Sequence, residues 1–360
     1  MSTIYIISDW GRLVKSGEVL QLKKENDILK TIFPFKTEQL IVIGQIEITA
    51  AAMRFLMRHQ IDTIFLGSNG RFNGRIDFQT GKNVFLRVKQ YELLKDEDFK
   101  LKLSKSIVAG KLKNQLVFMQ RIKRTRFLEN EINKTIEEMK TNIRKAENAE
   151  NIDSLRGYEG NGARLFFSVF RHSIIQDWAV FKGRSMHPPK DNVNAVLSFL
   201  YTMIMFRVDA ALSTQQIDSY AGYFHTLDYG KKSLVYDLME EYRTPICDTL
   251  TVSMFNLGIL NPDDFREEFF DETSEKNPLY EERSEDETQT GLFQSVKGVL
   301  LSKEGLKKVI TYLEKRLDDQ IFYEPTMEKI TYRKLIDEQV KHFRRVMTGE
   351  EAVYKPLAIK

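Results

Sequence analysis

The stretch Ala221–Arg243, AGYFHTLDYGKKSLVYDLMEEYR, decides how the chain is read. It holds one histidine, His225, and then a run of helical period in which Asp237 and Glu240 stand three residues apart. On a helix that spacing puts both carboxylates on one face. Upstream, RGYEGNGARLFFSVF sets Glu159 among Gly157, Gly160 and Gly162, just before another apolar helix. Singly, each feature has an ordinary explanation. A Glu near a helix N-terminus complements the helix dipole. A histidine beside Tyr223 and Phe224 packs in a core, and Asp237 with Glu240 makes a solvated face. Read together, Glu159, His225 and Glu240 are expected to converge on a divalent metal against which a DNA phosphate is laid.

The segments that flank these residues extend the pattern. In order they are GYEGNGA around Glu159, FKGRSMHPPKDNVNAVLSFLYT at 181–202, GYFHT at 222–226 and SLVYDLMEEYR at 233–243. Their order and spacing resemble the CRISPR adaptation integrase family, the metal-dependent nuclease-integrase subunit that inserts spacers into CRISPR arrays. The resemblance runs over the whole chain, with no departure in the triad. It implies that Glu159, His225 and Glu240 bind the metal. The family's D-x-x-[DE] pair matches Asp237 and Glu240, so Asp237 is expected as an auxiliary catalytic group on the same helix face. The implied reaction is direct transesterification, with a DNA 3′-hydroxyl attacking a phosphodiester at the edge of a CRISPR repeat. The implied partners are prespacer and repeat DNA, a second copy of the chain, and a small ferredoxin-like CRISPR adaptation subunit.

The chemistry is consistent with those residue types. A hard divalent ion stabilises attacking and leaving oxygens together. Carboxylates supply oxygen ligands and leave positions for water and phosphate. An imidazole suits manganese better than magnesium, so Mg²⁺ or Mn²⁺ is expected, with manganese often the more active. No Ser/His/Asp relay, reactive cysteine or phosphate-binding loop of the NTPase type is visible. Two other readings use the same residues: a metal nuclease of branched DNA in repair that never integrates, and a non-catalytic DNA-binding scaffold.

Basic residues supply the expected phosphate contacts. Arg156 precedes Glu159 and Arg164 follows it; Arg184 lies in the loop with Pro188 and Pro189; Arg243 lies one turn past Glu240. Lys113 belongs to the basic face of a long helix over 99–126, on whose flank Lys111 lies. His187 is expected as a loop residue or phosphate contact, and His342 as a surface or DNA-side residue.

Composition fits this outline. The 360 residues suffice for two domains with sizeable cores. Net charge is only +3, but residues 261–290 hold twelve acidic residues against Arg266, Lys276 and Arg283, a local balance of −9, which leaves +12 on the rest. A basic body can neutralise phosphates. One cysteine, Cys247, excludes an internal disulfide framework and a multi-Cys zinc site. The N-terminus MSTIYIISDWG lacks a basic region followed by a long apolar run, and the run at 196–206 is too short to span a bilayer. A cytoplasmic location without membrane attachment is therefore expected.

The fold class that follows is α+β and multidomain. Residues 1–88 are expected as a small β-rich, sandwich-like domain for self-association. Short strands are expected at Thr3–Ile7, Val19–Leu22, Leu40–Ile43 and Thr63–Leu66, a helix capped by Thr49, and a hairpin over 68–78. Residues 89–360 are expected as an all-α catalytic domain, because the period turns helical and stays so. Within it, Gly157–Gly162 reads as a glycine-rich approach to a helix at 163–172. Ser213 and Thr214 read as the start of another helix, ending near His225. Pro245 reads as a helix stop, and about 263–290 as a mobile acidic insertion.

Overall fold

Alternating apolar residues in TIYIISDWGRLVKS make β1 (Thr3–Ser16) a long strand that buries Ile6 and Leu13. It pairs in parallel with β4 (Gln39–Ile48), and the register shifts between Ile7 and Trp10. Gly44 sits in β4 near that irregularity with φ 111°; a Cβ there would lie 2.0 Å from the Ser8 carbonyl oxygen, so only glycine fits. β2 (Val19–Lys24) and β3 (Asp27–Ile32) extend one side antiparallel, β5 (Asp62–Leu66) joins β4 in parallel, and β6 (Phe72–Ile76) closes the other side. The hydrogen-bonded result is one six-stranded sheet of order β3-β2-β1-β4-β5-β6. Helix α1 (Ala50–Arg58) is capped by the Thr49 side chain, as expected, and ends at His59. Its Ala52, Phe55 and Leu56 join Leu20, Leu22 and Ile32 from one half of the sheet and Leu40 and Val42 from the other in a single core.

This computed structural model describes residues 2–68, 70, 72–76, 82–126, 129–186, 188–271 and 295–359. The chain divides into two compact units, Met1–Thr80 and Gly81–Lys360. The division falls ahead of the expected 88/89 boundary because α2 (Val84–Leu93) belongs with the helices. Its Gln90 side chain is buried and donates to the carbonyls of Asp218 and Ala221.

The second unit is built on α3 (Glu97–Arg126), α4 (Glu129–Glu147), α5 (Ile152–Phe170) and α6 (Asn192–Thr214). α7 (Ser233–Tyr242) follows, leading through a π-helical turn, Arg243–Asp248, into α8 (Thr249–Asn256). Then come an antiparallel pair of β7 (Phe265–Asp271) and β8 (Ser295–Leu301), α9 (Lys303–Asp318), a hairpin of β9 (Gln320–Tyr323) and β10 (Glu328–Thr331), and α10 (Tyr332–Thr348). Among the described residues α6 is long and apolar enough to cross a membrane, but 94% of its most apolar window is buried inside the protein. It is the central helix, apolar nearly all round.

Several expectations are corrected here. The glycines around Glu159 do not precede a helix; they lie inside α5, which starts eleven residues earlier than expected, capped by Asn151. Ser213 and Thr214 end α6 rather than begin a helix, and residues 215–232 form no helix. Gln216 turns the chain at φ 60°, and Asp209 then holds Ser219 and Lys232 across the loop. Pro245 does not stop the chain's helical course. The turn widens to π geometry, and the Pro245 carbonyl accepts from Arg316 of α9. Residues 265–271 of the expected acidic insertion form β7; its remainder from 272 lies outside the described residues, as does His187. The unit also carries two two-stranded antiparallel sheets within its helical frame. His342 is buried rather than on the surface, with Nδ1 2.5 Å from Glu351 and Nε2 accepting from the Lys355 amide.

Candidate metal centre

The centre starts from Asp237, fully buried on α7. One oxygen accepts the Tyr223 and Phe224 amides at 2.6 and 3.1 Å; the other accepts the His225 amide at 2.9 Å and meets His225 Nδ1 at 2.7 Å. The turn can lie this close because residue 222 is glycine. A Cβ there would fall 2.5 Å from the Ser233 carbonyl carbon at the start of α7. In the neutral imidazole Nδ1–H donates to Asp237, which leaves the Nε2 lone pair outward, and Nε2 stands 3.9 Å from Glu240 Oε1. Asp237 is thus more than the auxiliary group expected: it shapes the turn and aims the ring.

Glu240 is 2% exposed. Its Oε1 lies 3.2 Å from Arg243 Nη2, an ion pair one turn along. The Arg243 guanidinium sits 4.8 Å over the Tyr201 ring, and Arg184 lies over the same ring at 5.2 Å. The Tyr201 hydroxyl donates to Asp248 at 2.6 Å, and Thr244 donates to the other Asp248 oxygen. Burial pushes the Asp248 carboxyl up to about 6, against the opposing pull of those two hydroxyls and of Arg243 and Arg184.

Glu159 arrives from α5. Gly162, one turn on, lets α5 approach α3: a Cβ there would lie 2.2 Å from Leu112 Cδ2. Glu159 Oε1 meets Lys111 Nζ of α3, and the same ammonium stands 2.7 Å from Glu240 Oε2. The latter is a charge contact, because Oε2 has no aligned hydrogen bond. Lys111 is therefore the residue that sequence reasoning placed wrongly, on a helix flank. Its signal was present: it interrupts SIVAGKL, a run too apolar to leave an ammonium buried without acidic partners.

The structure brings Glu159, His225, Asp237 and Glu240 together and sorts the basic residues differently from the sequence reading. Arg243 is partly buried, with a side chain 13% exposed. Arg184 donates to the Ser185 carbonyl, Asn194 and Ser198, which fastens the 183–185 loop to α6. Arg156 pairs with Asp153 and donates to the Phe224 carbonyl, tying α5 to the histidine turn. Arg164 is exposed and meets Asn161. Lys113 points to Glu147 of α4 at 2.6 Å, away from the carboxylates.

Among the described residues no three acidic, His or Cys side chains stand close enough to enclose an ion as they are. The donor set nonetheless fits a divalent cation. Two carboxylates already share one cation, the Lys111 ammonium. Glu240 Oε2 is buried without an aligned donor. The imidazole is fixed through its other nitrogen by a carboxylate, the usual support of a metal-binding histidine.

A β-rich unit followed by a helical unit, with a partly buried Glu–His–Glu cluster backed by a buried aspartate, defines a class for which there are known relatives. The family model described as CRISPR associated protein Cas1 matches residues 4–270. The chain is 26% identical over 362 residues to the CRISPR-associated endonuclease Cas1 3 of Thermus thermophilus, covering 100% of this chain and 98% of that protein. It is 27% identical over 367 residues to a CRISPR-associated endonuclease Cas1 of Chlorobaculum tepidum, covering 99% and 98%. Among solved structures it is similar to a Cas1 protein from Thermotoga maritima (TM-score 0.77, 21% identity, 98% of this chain and 99% of that one). It is similar also to a casposase bound to integration product (TM-score 0.80, 17% identity, 100% and 95%). The chain belongs to the Cas1 family of CRISPR-associated proteins, in agreement with the resemblance seen in its sequence.

Proposed function

We propose that this Cas1 protein is a divalent-metal-dependent DNA nuclease and integrase that inserts spacer DNA into a CRISPR array by 3′-hydroxyl transesterification. The observation that carries the reading is that Glu240 joins both other residues: Oε2 shares the Lys111 ammonium with Glu159, and Oε1 lies 3.9 Å from His225 Nε2, whose ring is aimed by Asp237. Glu159 and Glu240 would hold Mg²⁺ or Mn²⁺ through oxygen and His225 through Nε2. When bound, such an ion supplies Lewis-acid charge to the attacking and leaving oxygens. The residues' own part is to fix the ligand set and to present basic groups to phosphate. In the transfer a 3′-oxygen–phosphorus bond forms as another phosphorus–oxygen bond breaks, so no protein nucleophile is required. Cys247 is not one: it is buried and its thiol is pushed well up by desolvation.

The relatives support the reading by name. The Thermus thermophilus protein is named an endonuclease, one similar structure is a Cas6-RT-Cas1–Cas2 complex, and another is a casposase on its integration product. We take DNA, a small ferredoxin-like adaptation subunit and a second copy of this chain, joined through the β-rich unit, as its partners in the cytoplasm. The test is strand transfer on a supercoiled repeat-containing plasmid, with the small partner and Mg²⁺ or Mn²⁺ supplied. Wild type should give branched joint products. Glu159→Ala, His225→Ala and Glu240→Ala should each abolish them. Robust transfer by any one variant removes that residue from the ligand set; cleavage without joint products would favour a repair nuclease.

A further inference from the structure

The proposed ligand set leaves one charged side chain at its centre unexplained. Lys111 is 7% exposed, on a stretch of α3 buried all round from Ile107 to Leu112. Its ammonium pairs with Glu159 and stands 2.7 Å from Glu240, so it bridges the two carboxylates proposed as oxygen ligands. Its backbone is held firmly. Gly110 beside it packs under Pro356, where a Cβ would lie 2.3 Å from Pro356 Cγ, and Asn114 one turn on bonds the carbonyls of Glu241 and Leu357. The stem therefore cannot retreat as a unit; any rearrangement must come from the side chain's own torsions.

We propose that Lys111 is the internal counter-ion of the Glu159–Glu240 pair and competes with the divalent metal for it. The inference rests on the metal-centre reading above. Two carboxylates turned toward one point in a buried site repel each other unless a cation lies between them. The lysine supplies that charge within the chain and holds both oxygens facing the same position. A metal ion entering the set must displace the ammonium from at least one carboxylate and accept a like charge nearby. Both effects weaken metal binding and set a threshold concentration below which the carboxylates stay paired with lysine. Lys111 is then a positioning residue: it assembles the ligands and tunes what they bind, and it has no role at the reacting atoms.

The test is Mn²⁺ binding to the full-length protein without DNA, followed by electron paramagnetic resonance of the free ion, beside thermal unfolding with and without Mn²⁺. Lys111→Met keeps the stem and removes the charge. It should bind Mn²⁺ about tenfold more tightly than wild type, equivalent to about 1.4 kcal/mol. It should also melt lower without metal and regain more on Mn²⁺ addition than wild type does. Lys111→Arg, which retains the charge, should keep wild-type affinity within a few-fold. If Lys111→Met does not fold, Lys111→Gln serves, with the same expected tightening. Equal or weaker Mn²⁺ binding by the neutral variant, with wild type binding normally, overturns the competition. Absence of Mn²⁺ binding by wild type overturns the metal-centre reading itself, and the inference with it.

Discussion

Asp237 was expected to assist the metal ligands, yet at the residue scale its four contacts give it a different weight. It is fully buried, accepts three amides of the 223–225 turn and holds His225 Nδ1. Replacement by Ala would leave those amides buried without acceptors, at about 1–3 kcal/mol for each unsatisfied group. Asp237→Ala should therefore lose more folding stability than Glu159→Ala, by at least about 2 kcal/mol in denaturant unfolding. A variant as stable as wild type would show that another group orders the turn. Asp248 offers a second test through pH. Its folded-state value is raised from 3.8 to about 6 by burial, so between those values the folded protein holds the proton that the unfolded chain releases. Stability from this group is therefore present at low pH and lost as pH rises through that window. The loss is on the order of 3 kcal/mol. Asp248→Asn keeps an acceptor for Tyr201 and leaves the window without charge change. Its stability relative to wild type should rise between pH 4 and pH 8; a parallel pH dependence of the two proteins would refute the assignment.

At the scale of elements, the centre is held by segments that carry no proposed ligand. The chain's last residues are fastened to α3, α7 and α10. Glu241, next to Glu240, accepts from Gln339, from the Tyr354 hydroxyl at 2.6 Å and from the Leu357 amide. Asn114 of α3 bonds the Leu357 carbonyl and the Ile359 amide. Burial raises the Glu241 carboxyl, and those donors pull it back toward the ionised form. Deleting residues 354–360 would leave this carboxylate buried with two donors gone. A protein ending at Val353 should lose several kcal/mol, on the order of 3 or more, and with it the metal-dependent thermal shift. A truncated protein with wild-type melting and metal response would show the tail to be dispensable. The same scale explains the glycines of α5. Gly162 permits a close helix contact at Leu112, whereas Gly157 and Gly160 face open space beside Glu159.

For the whole molecule the question is where nucleic acid runs. Net charge is +3, so affinity must come from placement rather than excess. Arg184 and Arg243, expected on the phosphate track, are engaged with protein partners and stacked on Tyr201. Arg164 is exposed on α5, one turn and a residue past Glu159. Arg164→Ala should therefore lower the salt slope of forked-DNA binding by roughly one unit with no change in base preference. Arg243→Ala should act chiefly on stability. Affinity titrations at several salt concentrations decide this: an unchanged slope for Arg164→Ala, with a reduced one for Arg243→Ala, reverses the assignment.

The sequence by itself determined the order of a β-rich part and a helical part, because periods of two and of 3.6 residues are local properties. It also determined the family and the cluster of Glu159, His225, Asp237 and Glu240, because a repeated spacing of reactive residue types survives without knowledge of packing. It placed the Thr49 cap, which acts on an amide three residues on. Tertiary structure alone decided where Lys111 and the arginines go. Helical period says which residues share a face, but not which neighbour that face meets. α3 is enclosed by α4, α5, α7 and the tail, so a flank lysine became the centre of a carboxylate pair. The loop after α6 and the π turn at Pro245 were likewise set by distant partners, Gln90 and Arg316. Such contacts join residues more than forty positions apart, and no local pattern in the chain encodes them.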